Sequence, residues 1–191
     1  MNVAISPLDD LEQRGWRIEP SGETVELTAG VWAPVVVHAA GPLGGVPDGV
    51  VDGKGEGFRL ELEARYDAER GSYLLRRFEI IAPDGDEVTG LLLRGIAPLR
   101  VMRWVLPRSW YVLPRRTEPS PGTPTTYAFR FMAPEQERDD GLAATIEDAA
   151  MVYRLAEIVR EPAAKAVAET LGLQTRTATN WIARAREKGL L

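Results

Sequence analysis

Cysteine is absent from the 191 residues, so the chain can form no disulfide, and it offers neither a thiolate zinc site nor a cysteine nucleophile. Histidine occurs once, at His38, after a run of valines. No serine or carboxylate is tied to it by a local motif, so a strand-end histidine satisfied by backbone is expected rather than a general base. The chain has no apolar run of about 18 residues. No charged, apolar, small-residue leader opens it, so neither a membrane span nor secretion is expected, and a cytoplasmic protein fits. Positive charge is also scarce: 23 Lys and Arg against 28 Asp and Glu give a net charge of −5. That balance argues against a protein that coats nucleic acid.

The charge is unevenly distributed. Residues 1–140 hold 16 basic and 22 acidic residues, residues 141–191 seven and six, and residues 175–191 four and one. An acidic body with a basic tip would meet DNA through one face, be repelled elsewhere and bind in a salt-sensitive way.

That basic tip follows the rules of a helix. Ala178, Trp181, Ile182 and Ala185 keep the i, i+3, i+4, i+7 spacing of a stripe turned towards a core. At about 100° per residue, Arg176, Thr179, Asn180, Ala183 and Glu187 then fall on the opposite side. A guanidinium at Arg176 can bind guanine through two acceptors, and the Asn180 carboxamide can pair with adenine in the major groove. Thr179 and Ala183 suit a thymine methyl. Arg184, Arg186 and Lys188 lie to the sides, where phosphates are met. With Gln174 and Thr175 at the leading end, these nine residues form the candidate DNA-contacting set. Glu187 faces outward near the trailing end, which stays away from the groove.

The preceding residues predict two more helices. Pro162 suits a first turn, so a helix runs from there to Leu171, with Val167, Ala168 and Leu171 on one face. Gly172 supplies the left-handed conformation that ends it. Gln174 or, more naturally, Thr175 caps the next helix. Upstream, Thr145 and Asp148 have the form of a capping box. They open a helix reaching about Arg160, with Ile146, Ala149, Val152, Tyr153, Ala156 and Val159 at helical spacing.

The small Ala168, the turn glycine Gly172 four residues later and the apolar Trp181 resemble the pattern of bacterial helix-turn-helix DNA-binding proteins. Residues 165–191 are also similar to the C-terminal segment of uncharacterised proteins of high-GC Gram-positive bacteria and their phages; residues 59–105 resemble the same proteins more faintly. Trp181 is bulkier than the β-branched residue usual at its position, and Ala178 is smaller. The resemblance implies a trihelical module that reads double-stranded DNA, and no length follows Leu191 for a β wing. The bland counterpart is an ordinary helical core whose Arg and Lys form a solvated face.

The first 140 residues are less explicit. Residues 58–66 alternate apolar and charged side chains, residues 73–81 are rich in strand formers, and residues 67–71 end in Gly71, which together predict an antiparallel hairpin. Residues 24–27 and 31–38 add strands. Thr89 caps a short helix to Leu93, and Ala97-Pro98 restarts one reaching about Val105. Leu91, Leu92, Ile96, Leu99, Met102 and Val105 are expected to pack on the sheet, the alternative being a groove for a partner helix. Prolines interrupt residues 107–134, within which residues 126–132 read as one more strand.

The expected fold class is therefore α+β: a small antiparallel sheet with short helices in residues 1–133, a linker at 134–141 and a wingless trihelical helix-turn-helix domain at 142–191. Other chemistry is discounted. The run from Asp52 to Gly57 resembles a calcium loop but has Lys54 where an oxygen ligand is needed, and it lacks the Gly-Lys-Ser/Thr signature of a phosphate loop. Glu61 and Glu63 alternate with leucines and point to solvent. No catalytic constellation, metal site or cofactor is expected. The reading is a non-enzymatic, sequence-specific DNA-binding protein, a transcriptional regulator acting as a homodimer, whose N-terminal domain takes an unknown effector or protein partner. The alternative is a protein-docking module in a phage or mobile-element assembly.

Overall fold

The computed structural model describes residues 11–28, 30–47, 50–51, 55–112 and 144–191. The described strands are β1 (Arg17–Pro20), β2 (Thr24–Thr28), β3 (Val31–Pro34), β4 (Val36–Pro42), β5 (Arg59–Asp67), β6 (Ser72–Ile81) and β7 (Tyr111–Val112). The described α-helices are α1 (Gly90–Gly95), α2 (Pro98–Val105), α3 (Ile146–Ile158), α4 (Ala163–Leu171) and α5 (Thr175–Glu187). The architecture is α+β, with antiparallel strands in the N-terminal part and three helices at the C-terminal end. Two compact units divide the chain, residues 1–25 with 34–109 and residues 26–33 with 110–191. The run at 126–132 and the linker at 134–141 lie outside the described residues, as do Asp52, Gly53 and Lys54.

The first unit is built on an antiparallel sheet in the order β1-β4-β5-β6. The expected hairpin is β5 and β6, closed by residues 67–71 with Gly71 at φ +60° and the Arg70 amide donating to Asp67 Oδ1 at 3.0 Å. The two-residue period of β5 buries Leu60, Leu62 and Ala64 and leaves Glu61 and Glu63 on the wetter face. The core face also takes Val37, Tyr73 and Trp16, and from α2 Val101, Met102 and Val105. Trp16 stands edge-on to Trp104 with ring centroids 5.2 Å apart, and its indole donates to the Pro42 carbonyl at 3.1 Å. Gly41 is required beneath that ring, because a β-carbon there would overlap Trp16.

Two expectations for this unit need correction. Residues 31–38 form two strands, not one: β3 belongs to a second sheet, in the order β2-β3-β7, and β4 to the first. Pro34 is the last residue of β3, and from Val36 the chain pairs with β5 instead. Leu91 does not pack on the sheet and is 80% exposed, as Leu93 is 52% exposed. Thr89 does cap α1, its Oγ1 accepting from the Leu92 amide at 3.2 Å, but the helix has only six residues and buries none. Ile96, Met102 and Val105 are buried as expected.

In the second unit, α3 opens with the predicted capping box. Thr145 Oγ1 accepts from the Asp148 amide at 3.1 Å, and Asp148 Oδ2 accepts from the Thr145 amide at 2.8 Å. Ala149, Val152 and Ala156 of α3 form one core with Ala166, Val167, Ala168 and Leu171 of α4 and Ala178 and Ile182 of α5. Tyr153 and Trp181 pack half-buried against it. Leu155 and Ile158 are buried as well, so α3 hides more than the one stripe that periodicity marks.

All three helices end alike. Beyond α3, α4 and α5 the chain turns left-handed at Arg160 (φ +60°), Gly172 (φ +63°) and Gly189 (φ +69°). The next amide then reaches back five residues: Glu161 to Ala156 at 2.8 Å, Leu173 to Ala168 at 2.8 Å, Leu190 to Ala185 at 2.9 Å. This is Schellman closure, and it needs the αL residue. It also corrects the start of α5. Closure uses Leu173, Gln174 becomes the extended N-cap, and Thr175 falls one residue too late to cap. Pro162 is likewise the N-cap of α4 and not its first residue.

Gly172→Ala is expected to destabilise the protein by about 1 kcal/mol, because an L side chain resists this conformation. Arg160→Gly should stabilise it by about 0.5–1 kcal/mol for the same reason. Urea unfolding of both variants measures the pair.

Candidate nucleic-acid interface

The buried side of α5 fixes its free side. Ala178, Ile182 and Ala185 are 0%, 4% and 0% exposed, which turns the opposite face of the helix to solvent. All nine candidate residues, Gln174, Thr175, Arg176, Thr179, Asn180, Ala183, Arg184, Arg186 and Lys188, are exposed, as is Glu187. Arg176, Asn180 and Ala183 follow the i, i+4, i+7 spacing and so share one side of the helix. Thr179 joins that side with its hydroxyl occupied, donating to the Thr175 carbonyl at 2.9 Å.

The four cations of this segment fall into two groups. Arg186 Nη2 donates to Tyr153 Oη at 2.9 Å, and its guanidinium carbon lies 5.3 Å from the centroid of that ring. Lys188 Nζ lies 3.6 Å from Glu147 Oε1. Both partners belong to α3. Arg176 and Arg184, by contrast, make no hydrogen bond or ion pair among the described residues.

Tyr153 and Glu147 are the residues that sequence reasoning passed over. A tyrosine on an apolar stripe was a usable signal, since its ring is buried while its hydroxyl seeks a polar partner. Glu147 stands in the first turn of α3, where a carboxylate suits the helix dipole. Its carboxyl is held below the usual carboxylate range, first by its own backbone amide and then by the charge of Lys188.

Helix ends differ in a way that bears on anion binding. α3 is capped by its N-cap side chain, whereas the N-cap residues of α4 and α5, Pro162 and Gln174, make no side-chain cap hydrogen bond.

Elsewhere, the wetter face of the first sheet carries a shallow recess of about 270 Å³ beside Arg17, His38, Arg59, Glu63 and Arg77. His38 is not a strand-end residue held by backbone: it sits within β4, paired with Glu19 and Glu63 across the strands, with Nδ1 3.9 Å from Glu63 Oε2. Strand alternation put Val37 and Ala39 in the core and His38 outside, which a run of apolar neighbours concealed. Arg77 donates to Glu79 at 2.6 Å, and Arg59 lies 3.7 Å from Glu61, so charges here are matched by neighbours. The Arg77–Glu79 hydrogen bond holds the guanidinium's pKa above its ordinary value and the carboxyl's below. Among the described residues no cluster of three or more His, Asp or Glu is arranged to hold a metal ion, and no helix is long and apolar enough to cross a membrane.

The chain matches no family model, no curated protein and no solved structure.

A depressed folded-state pKa at Glu147 contributes stability that is present above the unfolded carboxyl pKa and lost as pH falls through the folded value. Glu147→Gln should therefore flatten the acid side of the thermal-stability profile. Melting curves taken from neutral pH into the carboxylate range measure the effect; an unchanged acid slope would contradict it.

Proposed function

We propose that the chain is a sequence-specific double-stranded DNA-binding protein, a transcriptional regulator in which α4, the turn at Gly172 and α5 act as a wingless helix-turn-helix. The observation that carries this reading is the outer face of α5. There Arg176 and Asn180, the two side-chain types that pair bidentately with guanine and adenine, stand exposed on one side of a helix whose opposite side is locked into a core. Thr179, its hydroxyl held by the helix, offers its methyl to thymine, and Ala183 does the same farther along. Arg184 meets a phosphate beside the groove.

Two further features support it. The starts of α4 and α5, where the N-cap residue makes no side-chain cap bond, offer backbone amides and the positive end of a dipole, which suit DNA phosphates. The charge pattern, −5 over the chain with four cations and one acid in residues 175–191, favours approach through this tip alone.

A single trihelical module covers little DNA, and useful affinity at physiological salt calls for two half-sites. The active species in this account is a homodimer. Light scattering of the DNA complex should give two chains per site; one chain per site would contradict the dimer.

Selection from a randomised duplex library at two salt concentrations tests the main claim. The expected result is an enriched, salt-sensitive motif. Arg176→Ala and Asn180→Ala should each cost about 1–3 kcal/mol and relax one base position. No enrichment by a folded protein would instead favour a protein-docking role for the three helices.

A further inference from the structure

The two groups of cations on α5 have different consequences. Four basic residues near one helix would ordinarily be counted as four phosphate ligands. Arg186, however, is fixed twice, by a 2.9 Å hydrogen bond to the Tyr153 hydroxyl and by stacking over the same ring at 5.3 Å. Tyr153 is no loose surface group, because it packs against the core shared by α3, α4 and α5. Lys188 lies 3.6 Å from Glu147, in the first turn of α3, and that turn is itself anchored by the Thr145–Asp148 capping box. α3 thus holds the end of α5 through two side-chain pairs, one from Glu147 in its first turn and one from Tyr153 midway along it.

Resting on the DNA-binding reading above, we infer that Tyr153 and Glu147 are positioning residues for the reading helix. They keep Arg186 and Lys188 on α3, so that phosphate contact on α5 falls to Arg184, while Arg176 stays free for the base edge. Tyr153 is the stronger element. A guanidinium laid over a ring and bonded to its hydroxyl has one orientation, whereas an exposed ammonium and carboxylate are loosely held and screened by salt. The tail pairs set how α5 lies across α3, and so the angle at which Arg176 and Asn180 enter a groove.

The test uses the full chain, a duplex recovered by selection and a random duplex, each across a salt series. Arg184→Ala should lower the slope of log affinity against log salt by about one, as expected for a lost phosphate ligand. Arg186→Ala should leave that slope unchanged and reduce the ratio of selected to random affinity several-fold, and Tyr153→Phe, which keeps the ring and loses the hydroxyl, should leave the slope unchanged and reduce the ratio less. Their double variant should lose no more than Arg186→Ala alone. Arg186→Lys keeps the charge but not the planar fork, so it should fail to restore the ratio.

Hydrogen exchange of the free protein should show faster exchange at the end of α5 in both Tyr153→Phe and Arg186→Ala. A slope lowered by about one in Arg186→Ala, with Tyr153→Phe silent, would make Arg186 a direct phosphate ligand and overturn the inference. Additive losses in the double variant would overturn it too. If the wild-type chain binds no duplex, the DNA reading fails and the positioning role with it; exchange then reports the Tyr153–Arg186 contact on its own, so the two failures are distinguishable.

Discussion

Close approach of α3, α4 and α5 is the constraint on which the candidate interface depends, and alanine makes it possible. The helices have 13, 9 and 13 residues, lengths at which an isolated helix is marginal in water. Their stability must come from burial. Ala149, Ala156, Ala166, Ala168 and Ala178 put little more than backbone at the contact, which lets Val152, Val167, Leu171 and Ile182 interlock. A larger side chain at Ala178 would push α5 outward and separate Arg186 and Lys188 from their partners on α3. The same packing that folds the helices therefore presents Arg176 and Asn180 to solvent.

Much of this was readable from sequence because local rules and tertiary packing agree there. The stripe of Ala178, Ile182 and Ala185, the Thr145–Asp148 capping box and the left-handed Gly172 are each short-range signals, and all three appear where spacing and residue type put them. The β5–β6 hairpin was legible for the same reason, since alternation around Leu60 and Leu62 names its buried face. Exposure of the nine candidate residues followed directly from the stripe. Their partners did not. Tyr153 is 33 residues from Arg186, and nothing local announces that its hydroxyl will be reached from another helix.

The remaining differences share one cause. Periodicity finds a face but not what lies across from it, so it overlooked Leu155 and Ile158 on α3 and credited Leu91 with a place in the core that it does not take. It also joined β3 to β4 across Pro34, where pairing, and not propensity, decides the break. The wetter face of the first sheet and the outer face of α5 make an instructive contrast. On the sheet, Arg59 and Arg77 stand beside Glu61 and Glu79, whereas Arg176 and Arg184 on the helix have no such neighbours among the described residues. Unmatched cations beside an exposed Asn180, on a helix anchored from behind, set the outer face of α5 apart from the sheet.

The most direct test of the account is a residue-resolved map of duplex binding: amide chemical shifts of the full chain during titration with DNA recovered by selection. The account predicts that the largest changes run along the outer face of α5 from Gln174 to Arg184 and over the first turn of α4, with β1, β4, β5 and β6 quiet. Changes confined to the sheet, or a silent α5 in a folded protein that binds the duplex, would contradict it.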